Sequence, residues 1–580
     1  MSIIDLACHV IGACHAKKWA QFWVIGPWKK MATENASNTA EQSFDYVVVG
    51  GGSAGCTIAS RLSESGQYNV CLLEAGGTHK SPLVTIPFNL AVTVSRGVKN
   101  WNFETTPQVG LNGRKGFQPR GKALGGSSSI NAMIYIRGVK EDYDSWAALG
   151  NKGWSYDEVL PYFKKAEDHV AGETDIHGVG GPLTVSPVRS PNPLNDVFIR
   201  AAEEAQIPLN TDFNTGSQEG AGYYELTQRN GERCSAARAY LDPAEGRKNL
   251  TVFQNAYVER VILAGKKATG VQASIGNKSQ RINAAREVIV CAGALQSPQV
   301  LLLSGIGAPD KLTPHGISVA HDLPGVGENL HDHPDYALLY KTSSSDAIGA
   351  NTRSGLKIMW DSIQYKLRRR GMLTTNFNES GAFFYTDRSE PSPDIQLHFA
   401  ISIVDSHGRK IHRYHGYTCH VCVLRPKSRG NLTLTNADPQ THPQIDPAIL
   451  AHDDDMETMV RGVMKAQQIM EGPAFDSIRG EPLYGSGLKD RDALIEDIRN
   501  RADTIYHPVG TCKMGQDDMA VVDEQLKVKG VDGLRVADAS IMPIVISGNT
   551  NAPSIMIGEK CAAMILEEAR AGKNPLSLAS

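Results

Sequence analysis

The pattern of apolar residues near the start of the chain predicts a strand, a helix and a second strand in close succession. Tyr46–Val49 is a continuous apolar, β-branched run, which is typical of a strand buried on both faces of a parallel sheet. Ile58 and Leu62 then recur at the spacing of one helix face, and Val70–Leu73 is a second buried run. These elements predict a β–α–β unit with parallel strands.

Glycines at the turn between the first strand and the helix indicate a dinucleotide site. Gly50, Gly52 and Gly55 form the pattern G-x-G-x-x-G, in which the first glycine permits a tight turn, the second lets the backbone approach a pyrophosphate and the third allows close packing of helix on strand. Glu74 ends the second strand, where a carboxylate would accept hydrogen bonds from ribose hydroxyls. Glycines alone would suit an ordinary turn, but in this register they predict nucleotide binding.

Further elements follow from the same periodicities. A helix is predicted around Tyr156–Glu167 and a strand at Val252–Leu263. Glu287–Ala292 reads as another buried parallel strand, and the helix after it has Pro298 in its first turn.

Alternating apolar and polar positions change the picture further along the chain. Strands at Ile395–Phe399, Tyr417–Leu424 and Asn431–Leu434 predict a separate antiparallel sheet. A strand at Leu534–Ala537 and a helix at Pro553–Ala569 then restore the earlier pattern. The first domain is therefore predicted to be discontinuous.

Residues 1–42 are predicted to lie outside the fold. Apolar residues recur at helical spacing up to Cys14 and are followed by tryptophans and lysines, but the apolar run is too short to span a bilayer. One interpretation is an amphipathic anchor at a membrane surface, and the other is that translation starts at Met31. Both interpretations stay open.

Composition narrows the function classes. The chain has 580 residues, which is enough for several domains, and its formal net charge of -3 argues against a nucleic-acid partner. The ten cysteines are scattered through apolar runs, which suits reduced thiols in the cytoplasm. Cys419 and Cys422 are three apart in a strand-like run and so face opposite ways, and no second pair completes a zinc site. No metal is predicted.

Two long motifs resemble the signatures of the glucose–methanol–choline (GMC) oxidoreductases, a family that binds FAD. The first runs from Gly121 to Met133 and the second from Gly293 to Gly307. The resemblance covers residues 44–566. Within the family the chain most resembles the FAD-dependent alcohol dehydrogenases (acceptor) of bacterial alkane degradation, and next choline dehydrogenase.

The resemblance implies an α/β fold in which a discontinuous Rossmann-like FAD-binding domain joins a substrate domain built on an antiparallel sheet. It implies an FAD-binding region at 43–340, of which 151–229 contributes to the substrate domain. It further implies a substrate-binding domain at 341–500, a C-terminal segment at 501–566 that returns to the FAD domain with the active site, and a tail at 567–580.

The resemblance also assigns cofactor residues. It places one set along the ADP-ribose half of FAD, namely Gly50, Gly52, Ser53, Ala54, Gly55, Glu74 and Ala75. It places a second set along the pyrophosphate and the flavin ring, namely Leu124, Ser128, Asn131, Ala132 and Met133, with Val258 at the adenine and Asp538 and Ala539 at the pyrophosphate. An ordinary polar strand end is the alternative for Asp538. Relatives with a covalent flavin link it through a histidine where this chain has Ile130, so FAD is predicted to be non-covalent.

The predicted chemistry lies in two C-terminal motifs. His507 resembles the active-site histidine of the family and Asn551 resembles its second active-site position, which is His or Asn. A neutral alcohol resists losing hydride unless its hydroxyl proton is removed, and an imidazole is a natural base for that step. Asn551 could hold the alcohol oxygen. His331 and His333 have the spacing of metal ligands, but the resemblance places them in a structural turn near the cofactor.

The resemblance implies oxidation of a primary, medium-chain aliphatic alcohol to the aldehyde, with hydride passing to flavin N5 and electrons to a quinone or another acceptor. Choline dehydrogenase and an oxygen-using alcohol oxidase are the alternatives within the family. A light-driven decarboxylase of the family has Cys where this chain has Leu424, which counts against that activity. A non-catalytic nucleotide-binding protein would have no use for His507 and Asn551. The expected location is cytoplasmic, with peripheral contact to the cytoplasmic membrane left open.

Overall fold

Two seven-stranded sheets organise the protein in a computed structural model, which describes residues 42–276 and 278–572. In chain order, the strands of the two sheets are β1 Gln42–Val49, β2 Val70–Glu74, β3 Gly220–Tyr223, β4 Leu250–Gln254, β5 Ala256–Ala264, β6 Lys267–Ile275, β7 Lys278–Val290, β8 Pro334–Thr342, β9 Ser380–Phe384, β10 Ile395–Ala400, β11 Gly416–Val423, β12 Arg479–Leu483, β13 Asp503–Thr504 and β14 Leu534–Val536. The predictions about the leader fall on residues 1–41, which lie outside the described residues.

Helices of seven or more residues in the described ranges cover these sheets and connect their strands. They are α1 Ser53–Ser63, α2 Lys140–Ala148, α3 Tyr156–Ala166, α4 Leu194–Glu204, α5 Ser297–Leu303, α6 Thr352–Arg368, α7 Asp453–Met470, α8 Arg491–Arg501 and α9 Asn551–Arg570. Within residues 42–276 and 278–572, none of the helices combines the length and apolar composition needed to cross a membrane.

The first sheet contains the predicted β–α–β unit. Its order is β4-β2-β1-β7-β6-β5, and β14 pairs with β7. The pairs β4–β2, β2–β1, β1–β7 and β7–β14 are parallel, whereas β5, β6 and β7 form an antiparallel meander. Strand β14 follows its partner β7 by more than 240 positions in the chain, and Val290 pairs with Val536. The C-terminal part of the chain therefore supplies a strand of this sheet.

The last helix, α9, packs against the first, α1. A Cβ added at Gly558 would come within 2.9 Å of the carbonyl oxygen of Ala54, so the two backbones approach closely at this point. Arg61 on α1 pairs with the fully buried Glu559 on α9, with Nη2 and Oε1 at 2.8 Å. This contact ties the C-terminal segment to the nucleotide-binding unit.

The second sheet is antiparallel, in the order β12-β8-β11-β10-β9-β3, with β13 paired to β8. Successive side chains of a strand point to opposite faces of this sheet, and the two faces have different surroundings. Leu397 and Phe399 of β10 belong to the core under α4 and α7, where the Phe399 ring stacks on Phe198 at 4.8 Å. His398, between them, faces the opposite way and lines the main cavity.

The α/β fold with a second, antiparallel sheet is confirmed, and two predicted strands differ in detail. Val252–Leu263 is two strands, because Asn255 between them has φ 53°, a left-handed conformation that asparagine tolerates. The strand predicted at Asn431–Leu434 forms at Asn431–Thr433 but pairs with Gln444–Asp446 outside the second sheet. The period of a sequence specifies a strand but not its partner.

The predicted domain boundaries stay a prediction, although three observations bear on them. Strand β8 crosses residue 340 and belongs to the second sheet, so that sheet begins before the predicted boundary. Strand β3, from the segment 151–229, forms one edge of the second sheet. Strand β13, from the C-terminal segment, also joins it.

Candidate active site

A cavity of about 1320 Å³ is bounded by residues of both sheets. On the side of the first sheet it is lined by the turn between β1 and α1, the end of β2 and the segment that follows β7. On the side of the second sheet it is lined by His398 of β10 and His420 of β11. The cavity therefore extends from the glycine turn to the second sheet.

Most of the residues assigned to the cofactor by resemblance line this cavity. Those on its wall are Gly50, Gly52, Ser53, Ala54, Glu74, Ala75, Asn131, Ala132, Met133, Val258, Asp538 and Ala539. Three of the assigned residues, Gly55, Leu124 and Ser128, are not part of the wall.

Gly50 and Gly55 shape the turn. Gly50 has φ 99°, and a Cβ added there would lie 2.6 Å from the carbonyl oxygen of Cys291. A Cβ at Gly55 would lie 1.9 Å from the carbonyl oxygen of Gly50. At Gly52 the nearest atom would be 3.9 Å away, so Gly52 instead leaves backbone open towards the cavity. Gly55 therefore acts through packing rather than on the cavity wall.

Leu124 and Ser128, which the resemblance assigns to the cofactor, are not part of the cavity wall. The Leu124 amide donates to the carbonyl of Gly77 at 2.9 Å, and the Ser128 hydroxyl accepts from the Ala236 amide at 2.9 Å. Both are buried and hold the loop in place. The wall is formed instead by Gly126, Ser127 and Ile130.

Glu74 presents a carboxylate at the cavity wall. Its two oxygens accept hydrogen bonds from the amides of Gly51, at 2.9 Å, and Gly76, at 2.6 Å. Burial raises the pKa of Glu74 to about 7, although both of these hydrogen bonds favour the ionised form. A ribose hydroxyl at this wall would supply a further donor to the carboxylate.

Asp538 lies where the chain returns after β14. Its Oδ2 accepts hydrogen bonds from the Gly293 amide, at 2.8 Å, and from the Ser297 hydroxyl, at 2.5 Å, and its Oδ1 accepts from the Ser540 amide at 2.8 Å. The carboxylate therefore joins the loop after β7 to the C-terminal segment.

Two helix N-termini open on the cavity. The N-caps are Gly52 for α1 and Thr550 for α9, and in neither helix does a cap side chain bond the first amides. Uncapped amides and the helix dipole favour negatively charged groups. A pyrophosphate at α1 and the N1–C2=O edge of a flavin at α9 match these two ends, and Glu74 matches a ribose. The residues of the wall therefore fit FAD.

His507 lies on the cavity wall. Its Nε2 is 3.2 Å from Nδ2 of Asn549, and its Nδ1 is 3.0 Å from Nδ1 of His333, with the two imidazole rings nearly perpendicular at 85°. Burial, and then the nearby His333, His398 and Arg120, lower the pKa of His507 well below its ordinary value. The ring is therefore held neutral.

A chain of hydrogen bonds assigns the His507 tautomer. Gln396 Nε2 donates to Asn549 Oδ1 at 3.2 Å, which turns the Asn549 amino group towards His507. His507 Nε2 is then the acceptor, and the proton on its Nδ1 is donated to His333. The lone pair of Nε2 is the one that faces Asn549, at the cavity wall. The arrangement can accept a proton there.

Asn549, rather than Asn551, is the asparagine beside His507. Asn551 begins α9, and its Oδ1 accepts a hydrogen bond from the Ser53 hydroxyl at 2.7 Å, which joins it to the glycine turn. Asn549 precedes the helix and points to His507. Both line the cavity. The resemblance assigns the second active-site position to Asn551, but the side chain that reaches His507 is that of Asn549, because Asn549 precedes the helix that begins at Asn551.

Asp332 and His333 have a place in the site that the sequence did not reveal. Asp332 Oδ1 accepts from the backbone amides of His507, at 2.7 Å, and His333, at 2.8 Å, so one buried carboxylate sets the spacing of the two rings. The amide of Val545 donates to His331 Nε2 at 3.0 Å, so this ring nitrogen of His331 contacts backbone. The resemblance treats His331 and His333 alike, but of these two histidines it is His333 whose ring contacts His507.

The wall near the second sheet holds two more histidines. His420 Nδ1 is 2.8 Å from Asp335 Oδ2, and although burial lowers the pKa of His420, the charge and hydrogen bond of Asp335 raise it overall. Neither ring nitrogen of His398 has a hydrogen-bond partner among the described residues, and burial lowers its pKa to about 3. His398 is a neutral polar group aimed into the cavity.

A second ionisable cluster lies outside the cavity wall. Glu167, His169 and His177 come close enough together to hold a metal ion, as do His177, Asp212 and Glu225. Burial lowers the pKa of His177, but hydrogen bonds to Asp212 and Glu167 raise it to about 9. A protonated His177 donates to both Glu167 and Asp212, so the cluster is satisfied as a hydrogen-bonded group. The buried Arg137, 2.7 Å from Glu167, further favours an ion-pair network.

The fold and the cavity define a dinucleotide-binding oxidoreductase of the flavoprotein class. Models described as GMC oxidoreductase match residues 44–335 and 426–558 of the chain. An alcohol dehydrogenase [acceptor] of Pseudomonas putida is 43% identical over 90% of this chain and 96% of its own length. An oxygen-dependent choline dehydrogenase of Brucella anthropi is 40% identical over 92% and 96%. The chain belongs to the GMC oxidoreductase family, and its cofactor is FAD.

Solved structures agree with this assignment. Pyridoxine 4-oxidase from Mesorbium loti has a TM-score of 0.82 and 31% identity, covering 90% of this chain and 99% of that one. A formate oxidase has a TM-score of 0.85 and 26% identity, covering 92% of this chain and all of that one, 100%. The chain therefore shares the fold of FAD-dependent oxidoreductases along nearly its whole described length.

Proposed function

We propose that this protein oxidises a primary, medium-chain aliphatic alcohol to the aldehyde and passes the electrons to a quinone or a similar acceptor. The observation that carries the proposal is the pair formed by His507 Nε2 and Asn549 Nδ2, 3.2 Å apart on the cavity wall. Bound FAD supplies the acceptor for the hydride of the alcohol carbon.

His507 serves as the base in this proposal. An alcohol hydroxyl that replaces the Asn549 amino group at His507 donates its proton to the Nε2 lone pair, and the alcohol oxygen accepts a hydrogen bond from the displaced amino group. His333 accepts from the far side of the ring and so keeps the basic nitrogen turned to the substrate. Asn551 contacts the glycine turn instead and is assigned to the cofactor side.

The cavity wall favours an uncharged substrate. Among the described residues of the wall, the carboxylates are Glu74 and Asp538, and both belong to the first sheet's side, where FAD fits. The remaining wall includes apolar side chains such as Phe88, Leu90 and Phe377. Phe88 and Phe377 are also aromatic, but the described part of the wall near His507 has no carboxylate to balance the charge of a quaternary ammonium substrate. The lining therefore supports an aliphatic alcohol over choline.

The proposed location is the cytoplasm, with peripheral contact to the cytoplasmic membrane. All eight cysteines of the described residues are free and buried, as expected for a protein kept in a reducing compartment. A lipid-soluble alcohol and a quinone would both be met at a membrane surface.

Anaerobic flavin reduction tests the proposal. The FAD-loaded protein is mixed with hexanol, with other alcohols of increasing chain length and with choline, and the loss of flavin absorbance is followed. We expect hexanol to reduce the flavin far faster than choline does, and a quinone analogue to reoxidise it faster than air at equal concentration. Choline ahead of hexanol would make the protein a choline dehydrogenase, and air equal to the quinone would make it an oxidase.

A further inference from the structure

Helix α6 carries a stripe of large apolar side chains on its solvent side. The stripe consists of Leu356, Met359, Trp360, Ile363 and Leu367, whose exposed fractions range from 48% to 73%, and it is called here the apolar face of α6. At the helical repeat these five positions fall within about 100° of the helix circumference. They therefore form one continuous strip rather than scattered exposed residues.

The opposite side of the same helix packs against the rest of the protein. Ser354, Gly355 and Tyr365 are buried, and Tyr365 belongs to the core under α4 and α7. An amphipathic helix of a globular protein normally turns its apolar stripe inward. Here the apolar stripe points outward although the helix already has a buried face, so the outward stripe is available to a partner.

Positive charges accompany the apolar face. Helix α6 contains four cationic residues, Arg353, Lys357, Lys366 and Arg368, against one acidic residue, Asp361, which gives 4 − 1 = +3, whereas the whole chain has a formal net charge of -3. By the helical repeat, Arg353 and Lys357 border one side of the stripe and Lys366 borders the other. Long cationic side chains beside an apolar strip are typical of helices that lie in a bilayer interface.

The FAD cavity opens beside this helix. Thr352, Gly355 and Ile358 of α6 form part of the cavity wall. Thr352 is also exposed, as are Ile411 and Tyr414, which line the cavity from the neighbouring loop. The helix thus separates the cavity from solvent on one side, and a surface bound to its apolar face would lie next to the opening.

We propose that the apolar face of α6 is a docking surface for an anionic lipid bilayer, with the cavity opening held against the membrane. The five apolar side chains enter the boundary between headgroups and acyl chains, and the flanking cations meet anionic headgroups. A second copy of the chain would bring the same cations into mutual contact, so charge favours the bilayer over a symmetric dimer. This docking surface would provide the peripheral membrane contact proposed above. It rests on the proposed function in one respect, namely that the alcohol and the quinone are lipid-soluble.

Vesicle flotation of the full chain loaded with FAD tests this docking surface. The vesicles consist of phosphatidylcholine with or without phosphatidylglycerol. The test variant is Trp360→Glu/Ile363→Glu, and its matched control is Leu209→Glu/Met464→Glu, which places the same charges at equally exposed apolar positions on other elements. None of these four residues lines the cavity. We expect the test variant to lose at least about tenfold in partition to anionic vesicles and the control to bind like wild type.

A second variant tests the charges. Arg353→Gln/Lys357→Gln should lose about fivefold per charge on anionic vesicles and little on neutral ones, and added salt should weaken wild-type binding in the same way. Flavin absorbance and hexanol oxidation in detergent-free solution should stay at the wild-type level in every variant. A protein that docks through α6 but oxidises no alcohol would refute the proposed function and leave the docking surface standing.

Three results would overturn the docking surface. One is a test variant that floats as well as wild type. Another is loss of flotation only when residues 1–41 are removed, which would assign membrane binding to the leader. The third is a wild-type dimer in sedimentation velocity that Trp360→Glu/Ile363→Glu converts to a monomer, which would assign the face to a second copy of the chain.

Discussion

His507 is surrounded by groups that keep its imidazole neutral and fix its orientation. His333 accepts from Nδ1, Asn549 donates to Nε2, and Asp332 holds the backbone amides of both histidines. A base that is neutral and already turned towards the substrate has only to exchange its hydrogen bond from Asn549 for one from the alcohol before it accepts a proton. The residues that orient His507 therefore matter as much as the histidine itself.

Alanine variants at three positions separate the base from its neighbours. His507→Ala should keep FAD and lose roughly 10²–10⁴-fold in the rate of flavin reduction by hexanol, the usual contribution of a general base. Asn549→Ala should lose about tenfold, because it removes one hydrogen bond to the alcohol oxygen. Asn551→Ala should affect FAD retention more than the rate. Anaerobic stopped-flow absorbance measures all three, and a larger rate loss in Asn551→Ala than in Asn549→Ala would return the assignment to Asn551.

Ile130 bears on how FAD is held. It lies on the cavity wall, at the position where relatives with a covalent flavin have a histidine, and an isoleucine side chain offers no nucleophile. Acid precipitation of the yellow protein should therefore release the flavin into the supernatant. Colour that stays with the pellet would show a covalent bond formed elsewhere.

At the scale of the element, the turn between β1 and α1 uses its glycines for different purposes. Gly55→Ala would bring a Cβ to within 1.9 Å of the Gly50 carbonyl oxygen, so we expect it to destabilise the turn and to lose FAD. Gly52→Ala meets no protein atom closer than 3.9 Å, so it should fold normally and weaken only FAD binding. Thermal unfolding measured with and without added FAD distinguishes them. Equal apo stabilities of the two variants would contradict this division of roles.

Buried histidines couple the stability of the whole molecule to pH. The pKa values of His331, His333 and His398 are lowered to about 3 by burial first, and the pKa of His507 is lowered well below its ordinary value. In the unfolded chain these rings bind protons below about pH 6.5, which the folded protein does not. The free energy of unfolding is therefore not reduced by these histidines above that pH. Below it, the free energy of unfolding falls by about 1.4 kcal/mol per pH unit for each histidine.

Urea unfolding on the acid side of neutrality measures this dependence. His398→Gln should reduce the slope of unfolding free energy against pH by about one histidine's share. His177 provides a control of opposite sign, because its pKa is raised to about 9 and its contribution is lost as the pH rises rather than as it falls. A slope unchanged in His398→Gln would mean that this ring is already protonated in the fold.

The sequence by itself determined the parts of this protein that depend on short stretches of chain. The strand, glycine turn and helix at Gly50 need neighbours within a few residues, and the FAD motifs and His507 are equally local, so pattern and resemblance found them. Only the tertiary structure decided which groups meet across the chain. His333 reaches His507 over 174 positions, Asn549 rather than Asn551 turns to it because the helix begins between them, and α6 leaves its apolar face outside because its other face already packs on the protein. Such choices follow from the relative placement of elements, which periodicity along the sequence does not encode.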